Sequence, residues 1–181
     1  MLDSNQIHVM IEQERLEARI QELGKQISKD YEGKEILLVC VLKGGVMFMA
    51  QLAKYITVPL TMDFMVLSSY GNELISSGTV DIKKDIDEPL EGRHVLIIED
   101  IVDTGRTLWF LKKLLEERHA ASVKICTMLD KPARRVKPVE AEYTGFVIED
   151  EFILGYGLDY EQRYRNLPYI AYVSKADGEE K

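Results

Sequence analysis

Residues 95–108 read VLIIEDIVDTGRTL. An apolar run, Val95 to Ile98, ends on two adjacent carboxylates, Glu99 and Asp100, and a third acid, Asp103, precedes Thr104, Gly105, Arg106 and Thr107. Negative charges this close repel one another, so their grouping asks for a ligand. Two chemistries fit the acidic pair: carboxylates accept hydrogen bonds from hydroxyls, or they hold the waters of a divalent cation. The residues that follow suit the opposite charge. A short turn through Asp103, Thr104 and Gly105 into a helix lets backbone N–H groups and two hydroxyls converge on an anion at a helix amino terminus, and the glycine permits close approach. One molecule reconciles both halves if it carries a phosphate and a vicinal diol, as a ribose 5-phosphate does. The stretch reads as a sugar-phosphate clamp, against the plainer reading of a solvated acidic loop.

Such a clamp needs strands and helices to hold it. Val95 to Ile98 fits a strand covered on both faces, and ligands of open α/β sheets bind beyond the carboxyl ends of strands, where Glu99 and Asp100 then sit. Leu108, Leu111 and Leu115 mark the core face of the next helix, and SVKICTML (122–129) predicts another strand. The same alternation runs earlier. Leu16, Ile20, Leu23 and Ile27 recur at helical spacing in a first helix ending near Gly33; EILLVCVL (35–42) is a continuous apolar run; VMFMAQLAKYI after Gly44-Gly45 reads as a helix; and Pro59 separates it from strand-like LTMDFMVL. Residues 68–93 carry Ser, Gly and charge in place of periodic hydrophobes and read as a flexible stretch, while YTGFVI and YIAYV predict short strands in the last third. The fold expected is α/β: an open, mainly parallel twisted sheet flanked by helices, with a small irregular carboxyl-terminal segment.

Composition bounds the function. The 181 residues suit one domain, able to bury roughly 70% of the surface its unfolded chain exposes. With 46% hydrophobic and 30% charged residues the chain is ordinary globular protein, not a disordered or fibrous one. A net charge of −8 opposes general nucleic-acid binding, which needs a Lys/Arg face, although a local basic patch stays open. Cys40 and Cys126 lie inside apolar runs and read as buried thiols of a reducing compartment. No leader-like amino terminus and no membrane-length apolar stretch is present, so the expected location is cytoplasmic, with no membrane partner. Three histidines, none in a motif, leave a carboxylate as the natural proton handler.

The clamp segment closely resembles the phosphoribosyl-pyrophosphate-binding motif of type I phosphoribosyltransferases. LKGG (42–45), SSYG (68–71), the lysine of LDKP and FILGYGLDY (152–160) further resemble the bacterial hypoxanthine (hypoxanthine-guanine) members, in order over nearly the whole chain. The resemblance implies a single phosphoribosyltransferase domain over residues 1–181, with a hood from about 143–170 and the amino-terminal residues. It implies Glu99 and Asp100 on the ribose hydroxyls, Asp103, Thr104, Gly105, Arg106 and Thr107 around the 5-phosphate, and Asp103 near purine N7 as general acid/base. It implies Lys43, Gly44 and Arg165 on pyrophosphate, with a Leu42-Lys43 peptide that is often cis in relatives; apart from the resemblance, DKPARRVKPVEAEY is somewhat basic beside an acidic whole, and Arg135 is expected to assist with pyrophosphate. Lys131 would donate to O6 of a 6-oxopurine, which adenine cannot reciprocate; Phe152 would stack on the base, and Ile153 and Asp159 would meet its edge through main-chain groups. Mg2+ held by Glu99, Asp100 and Asp159, a mobile loop at Ser69 and Tyr70, small-molecule substrates and a homodimer or homotetramer complete the picture. Arg106 departs from the lysine of many relatives but keeps the charge.

Two rivals share parts of this pattern. A pyrimidine-operon attenuation regulator has the same fold and clamp but binds RNA and needs a clustered basic face. A two-component receiver domain also sets adjacent acids near a strand end and a lysine later, but lacks the anion cradle and this length.

Overall fold

The longest apolar runs form the centre of a sheet. In the computed structural model, which describes residues 6–69 and 80–174, Ile36–Val41 (β2) and His94–Val102 (β5) run parallel, Ile36 opposite His94 and Cys40 opposite Ile98. Every residue of β2 is buried because both sheet faces are covered. Ile36, Leu38 and Cys40 join Leu96 and Ile98 in one core, whereas Leu37, Val39 and Val41 join Val95 and Ile97 in the other. This is the two-residue period of a strand written into two opposite cores.

Helix Gln13–Asp30 (α1), with Leu16, Ile20, Leu23 and Ile27 fully buried, and helix Val46–Leu52 (α2) cover the first face. Helix Arg106–Glu117 (α3) covers the second with Leu108, Leu111 and Leu115. Leu60–Ser69 (β3), Ser122–Asp130 (β6) and Tyr143–Val147 (β7) extend the parallel sheet, and Val80–Lys84 (β4) closes one edge antiparallel to β3, in the order β4-β3-β2-β5-β6-β7. The expected open, mainly parallel sheet is therefore present. β4 falls in the stretch that reads as flexible, since Val80 and Ile82 alone are too short an alternation to announce a strand.

A second sheet joins the two ends of the chain. Ile7–Ile11 (β1) pairs antiparallel with Ile170–Val173 (β9), which pairs with Ile153–Leu154 (β8). The segment expected as a hood from about 143 begins instead in the main sheet, where Tyr143–Val147 is an edge strand pairing with β6. Among the described residues no helix is long and apolar enough to cross a membrane.

The connections create the crevice. From β2 the chain passes through α2 to β3 on one side, and from β5 through α3 to β6 on the other, so the loops after β2 and β5 part at a topological switch point. β5 also outruns its neighbour. Its pairing with β2 stops at Ile98 but continues along β6 as far as Val102 opposite Asp130. Glu99 and Asp100 thus belong to the strand on one side and, beyond the last residue paired with β2, line a cavity shared with Gly44 on the other.

Candidate active site

The turn after β5 has the geometry of an anion cradle. Gly105 sits at the amino-terminal cap of α3 with φ +76°, the left-handed region, and has no side chain to cap that helix end, where the Arg106 amide makes a long 3.5 Å bond to Thr104 Oγ1. A Cβ there would fall 2.6 Å from Val139 Cγ1 and 3.1 Å from the Lys137 carbonyl. The turn is braced from behind by residues 135–139: the amides of Val136 and Lys137 both donate to the Thr104 carbonyl, at 2.9 and 3.1 Å. A cavity of about 300 Å³ opens on its other side, lined by Gly44, Glu99, Asp100, Asp103 and residues 104–107. The acids and the cradle therefore face one space.

Electrostatics there are tense. Burial, and then the charge of Asp100, holds Glu99 well above the usual carboxylate range. Burial raises Asp100 as well, against hydrogen bonds from the Glu99 side chain and the Ile101 amide and the charge of Arg165. The hydrogen bond between the two side chains favours a proton on Glu99, and the Ile101 amide donates to Asp100 Oδ1 at 2.7 Å. Gly44 presses on the pair so closely that a Cβ would overlap the Asp100 carboxylate. The Leu42-Lys43 peptide before it is cis. Gly157, φ +101°, packs in turn so tightly on Gly44 that a Cβ would overlap its carbonyl oxygen.

That second contact brings the FILGYGLDY loop to the acids. Arg165 donates to the Gly157 carbonyl at 2.7 Å and pairs with Asp159 Oδ1 at 2.5 Å. Lys43 Nζ and Arg165 Nη2 both reach Gln162 Oε1, at 3.0 and 3.4 Å. Lys43, Asp159 and Arg165 are thus one cluster. Gln162, which links the two cations, carries no charge and no motif to mark it in the sequence.

Lys131, Phe152 and Ile153 form a third group. Lys131, only 5% exposed, donates from Nζ to the Glu151 carbonyl at 2.7 Å and lies 3.6 Å from Asp150 Oδ1. A solvated strand terminus is excluded for it. Phe152 is 53% exposed, edge-on to Tyr160, so it is no core residue, while Ile153 beside it is buried in β8. Arg134 Nε stands 3.6 Å from Asp103 Oδ1 and 3.9 Å from Asp150 Oδ1, joining this group to the cradle. Asp103 Oδ1 is itself buried and accepts no hydrogen bond. Ser69 is the last residue of β3, and Tyr70 lies outside the described residues. Among the described residues no three His, Cys, Asp or Glu side chains converge as a metal cage.

Arg135 is not where the sequence suggested. Its guanidinium is spent on the carbonyls of Val102, Asp103 and Val139 and the carboxylate of Asp130. A cation already holding these acceptors has little left for pyrophosphate.

Comparison with known proteins gives a consistent answer. Residues 10–161 match the model of the phosphoribosyl transferase domain family. The chain is 51% identical over 175 residues to a hypoxanthine-guanine phosphoribosyltransferase of Streptococcus thermophilus (strain CNRZ 1066), covering 97% of each protein. It is 49% identical over 168 residues to that of Bacillus subtilis (strain 168), covering 93% of each. A crystal structure of a hypoxanthine-guanine phosphoribosyltransferase from Bacillus anthracis superposes with a TM-score of 0.89 at 46% identity, over 92% of this chain and 98% of that one.

Two consequences of the geometry are measurable. Valine at Gly105 must adopt a left-handed conformation costing about 1–2 kcal/mol and also meet the back wall of the turn. Gly105→Val is expected to lower the urea midpoint and to weaken ribose 5-phosphate binding in calorimetry by about tenfold or more; unchanged binding would show that the turn is not the cradle. The acidic pair has the opposite signature. Because folded Glu99 binds its proton more tightly than the unfolded chain does, its contribution to stability is complete below the unfolded value near about 4.3 and is lost as pH rises through the raised folded value. Glu99→Gln should therefore unfold at higher urea than the parent at pH 8, with the gap closing toward pH 4, while activity falls. Equal midpoints at pH 8 would rule out a raised Glu99.

Proposed function

This chain belongs to the phosphoribosyl transferase domain family, and from that membership we propose how its residues divide the work of a purine salvage enzyme. The reaction transfers the 5-phosphoribosyl group from phosphoribosyl pyrophosphate to N9 of hypoxanthine or guanine, releasing pyrophosphate and the nucleoside 5′-monophosphate. Small molecules are its substrates. The observation that carries the division of labour is the single cavity lined both by Glu99 and Asp100 and by the anion cradle of residues 103–107.

In this reading the cradle amides and the hydroxyls of Thr104 and Thr107 hold the 5-phosphate, and Glu99 and Asp100 accept from the ribose hydroxyls. As the bond from C1 to pyrophosphate breaks, positive charge grows on the sugar, and the acidic wall stabilises it where it develops. N9 of the purine attacks C1 while the N7 proton passes to Asp103, whose buried, unbonded Oδ1 suits an acceptor awaiting a ligand. Lys131 exchanges its Glu151 carbonyl for the purine O6, and the exposed ring of Phe152 supplies a stacking face. Ile153 and Asp159 meet the other edge of the base through their main chain. Lys43, Gly44 and Arg165 receive pyrophosphate, the two cations leaving Gln162 to do so.

Magnesium fits the donors present. Glu99 and Asp100 are hard oxygen ligands with a surplus of charge, Asp159 lies on the loop packed over Gly44, and an ion bound through waters and substrate phosphates needs no protein-only cage. These three carboxylates would hold it, and when bound it neutralises charge on the departing pyrophosphate. We assign the three-stranded sheet of β1, β8 and β9 as the hood over the base, and Ser69 with Tyr70 to a loop that closes on the substrates. The two free, buried thiols suit a reducing cytoplasm. Assembly as a homodimer or homotetramer completes the proposal.

An ultraviolet assay with phosphoribosyl pyrophosphate, magnesium and hypoxanthine tests the reading, with filter retention of RNA as its counterpart for the RNA-binding alternative. Asp103→Asn is expected to lower kcat by about 10²–10⁴-fold while phosphoribosyl pyrophosphate binding changes little; full turnover would remove Asp103 from proton transfer. Lys131→Ala forfeits a charged hydrogen bond of about 1.5–3 kcal/mol. Its kcat/KM for hypoxanthine and guanine should fall accordingly and discrimination against adenine relax, and an unaltered base preference would refute the role.

A further inference from the structure

We propose that Arg135 is a positioning residue that aims the amides of the phosphate cradle and ties the cradle to the base-recognition lysine. The inference rests on the reading of residues 103–107 as the 5-phosphate site and extends it to a residue behind that site. Arg135 Nε donates to the Asp103 carbonyl at 3.1 Å, Nη2 to the Val102 carbonyl at 3.3 Å and to Asp130 Oδ1, and Nη1 to the Val139 carbonyl. Its side chain is 18% exposed. A planar guanidinium with five N–H donors in a fixed fork can serve four acceptors on three segments at once.

What makes these contacts more than packing is which carbonyls are held. Val102, Asp103 and Thr104 are consecutive, and all three carbonyls are taken by donors of one short segment, residues 131–137: Val102 by Lys131 N and Arg135, Asp103 by Arg135, Thr104 by Val136 N and Lys137 N. The peptides joining them are trans, since Leu42-Lys43 is the cis bond among the described residues. In a planar trans peptide the N–H points opposite to its carbonyl. Pulling these carbonyls back toward residues 131–137 therefore turns the following amides, of Asp103, Thr104 and Gly105, forward into the cavity that those residues line. Successive amides aimed into one concavity make an anion nest.

The same guanidinium fixes where the nest lies relative to the base. Asp130 is the last residue of β6 and directly precedes Lys131, whose own amide bonds to Val102. Arg135 thus pins the phosphate end and the base end of the ligand to one cation, and Asp130 supplies its charge balance from within the protein. A lysine has one compact ammonium and cannot span these acceptors.

Arg135→Lys tests this, with Asp130→Asn as a second variant that keeps size and removes only the ionic anchor. Affinity for inosine 5′-monophosphate and for inosine is measured by calorimetry, and KM for phosphoribosyl pyrophosphate and for hypoxanthine by steady-state kinetics. Arg135→Lys should weaken the monophosphate and raise KM for phosphoribosyl pyrophosphate by about tenfold or more. Inosine affinity and KM for hypoxanthine should move much less, and Asp130→Asn should do the same to a smaller degree. Should Arg135→Lys fail to fold, Asp130→Asn carries the test. Equal weakening of monophosphate and nucleoside, or no change in either, overturns the positioning role. A parent protein that does not prefer the monophosphate to the nucleoside overturns the cradle reading beneath it.

Discussion

Two carboxylates are held out of water at the point where β2 and β5 part company, and the rest of the site is organised around that costly placement. Burial makes their charges expensive and their adjacency makes them more so, which is why Glu99 is held so far above the ordinary range. In the function proposed above, that strain is the asset: a sugar whose anomeric carbon becomes cationic would relieve it, whereas a neutral ground state would relieve it much less, so the interaction would favour the transition state over the substrate.

Close backbone packing keeps the pair in place. Gly44 lies against Asp100 and Gly157 against Gly44, each with no room for a side chain, so two loops distant in sequence form layers one atom thick over the acids. This stacking brings Arg165 near enough to influence Asp100 and gathers Lys43, Asp159 and Arg165 around Gln162. Lys43 and Arg165 share the neutral amide of Gln162, and Arg165 is also held by Asp159 and the Gly157 carbonyl. In the proposed role, pyrophosphate would displace the shared amide on charge.

Opposite charges coexist within one cavity because different parts of the chain present them. The acids use side chains on the overhanging end of β5, whereas the cradle uses backbone amides of the turn just beyond. Side-chain charge and backbone dipole are independent resources, so fourteen residues can offer a sugar both signs. Arg135 takes no direct part in either. It works from behind, where its donors hold the carbonyls whose opposite ends face the ligand.

The sequence was legible wherever a local rule applied. Continuous apolar runs identified β2 and β5, and leucines at helical spacing identified the buried face of α3. The order of acids, hydroxyls and glycine after Ile98 pointed to residues that line one cavity, because strand burial, helix periodicity and amide convergence at a helix start all act over a few neighbouring residues. β1 and β4 escaped notice because each is short and depends on a distant partner for its ladder. Gln162, Arg134 and Asp150 escaped because a residue type says nothing about which loop it will meet. Arg135 was read as a ligand for pyrophosphate since a positive charge beside a phosphate-handling motif suggests one. Tertiary structure decided otherwise: four acceptors from three segments converge on its guanidinium, and only the folded chain brings them within a single side chain's reach.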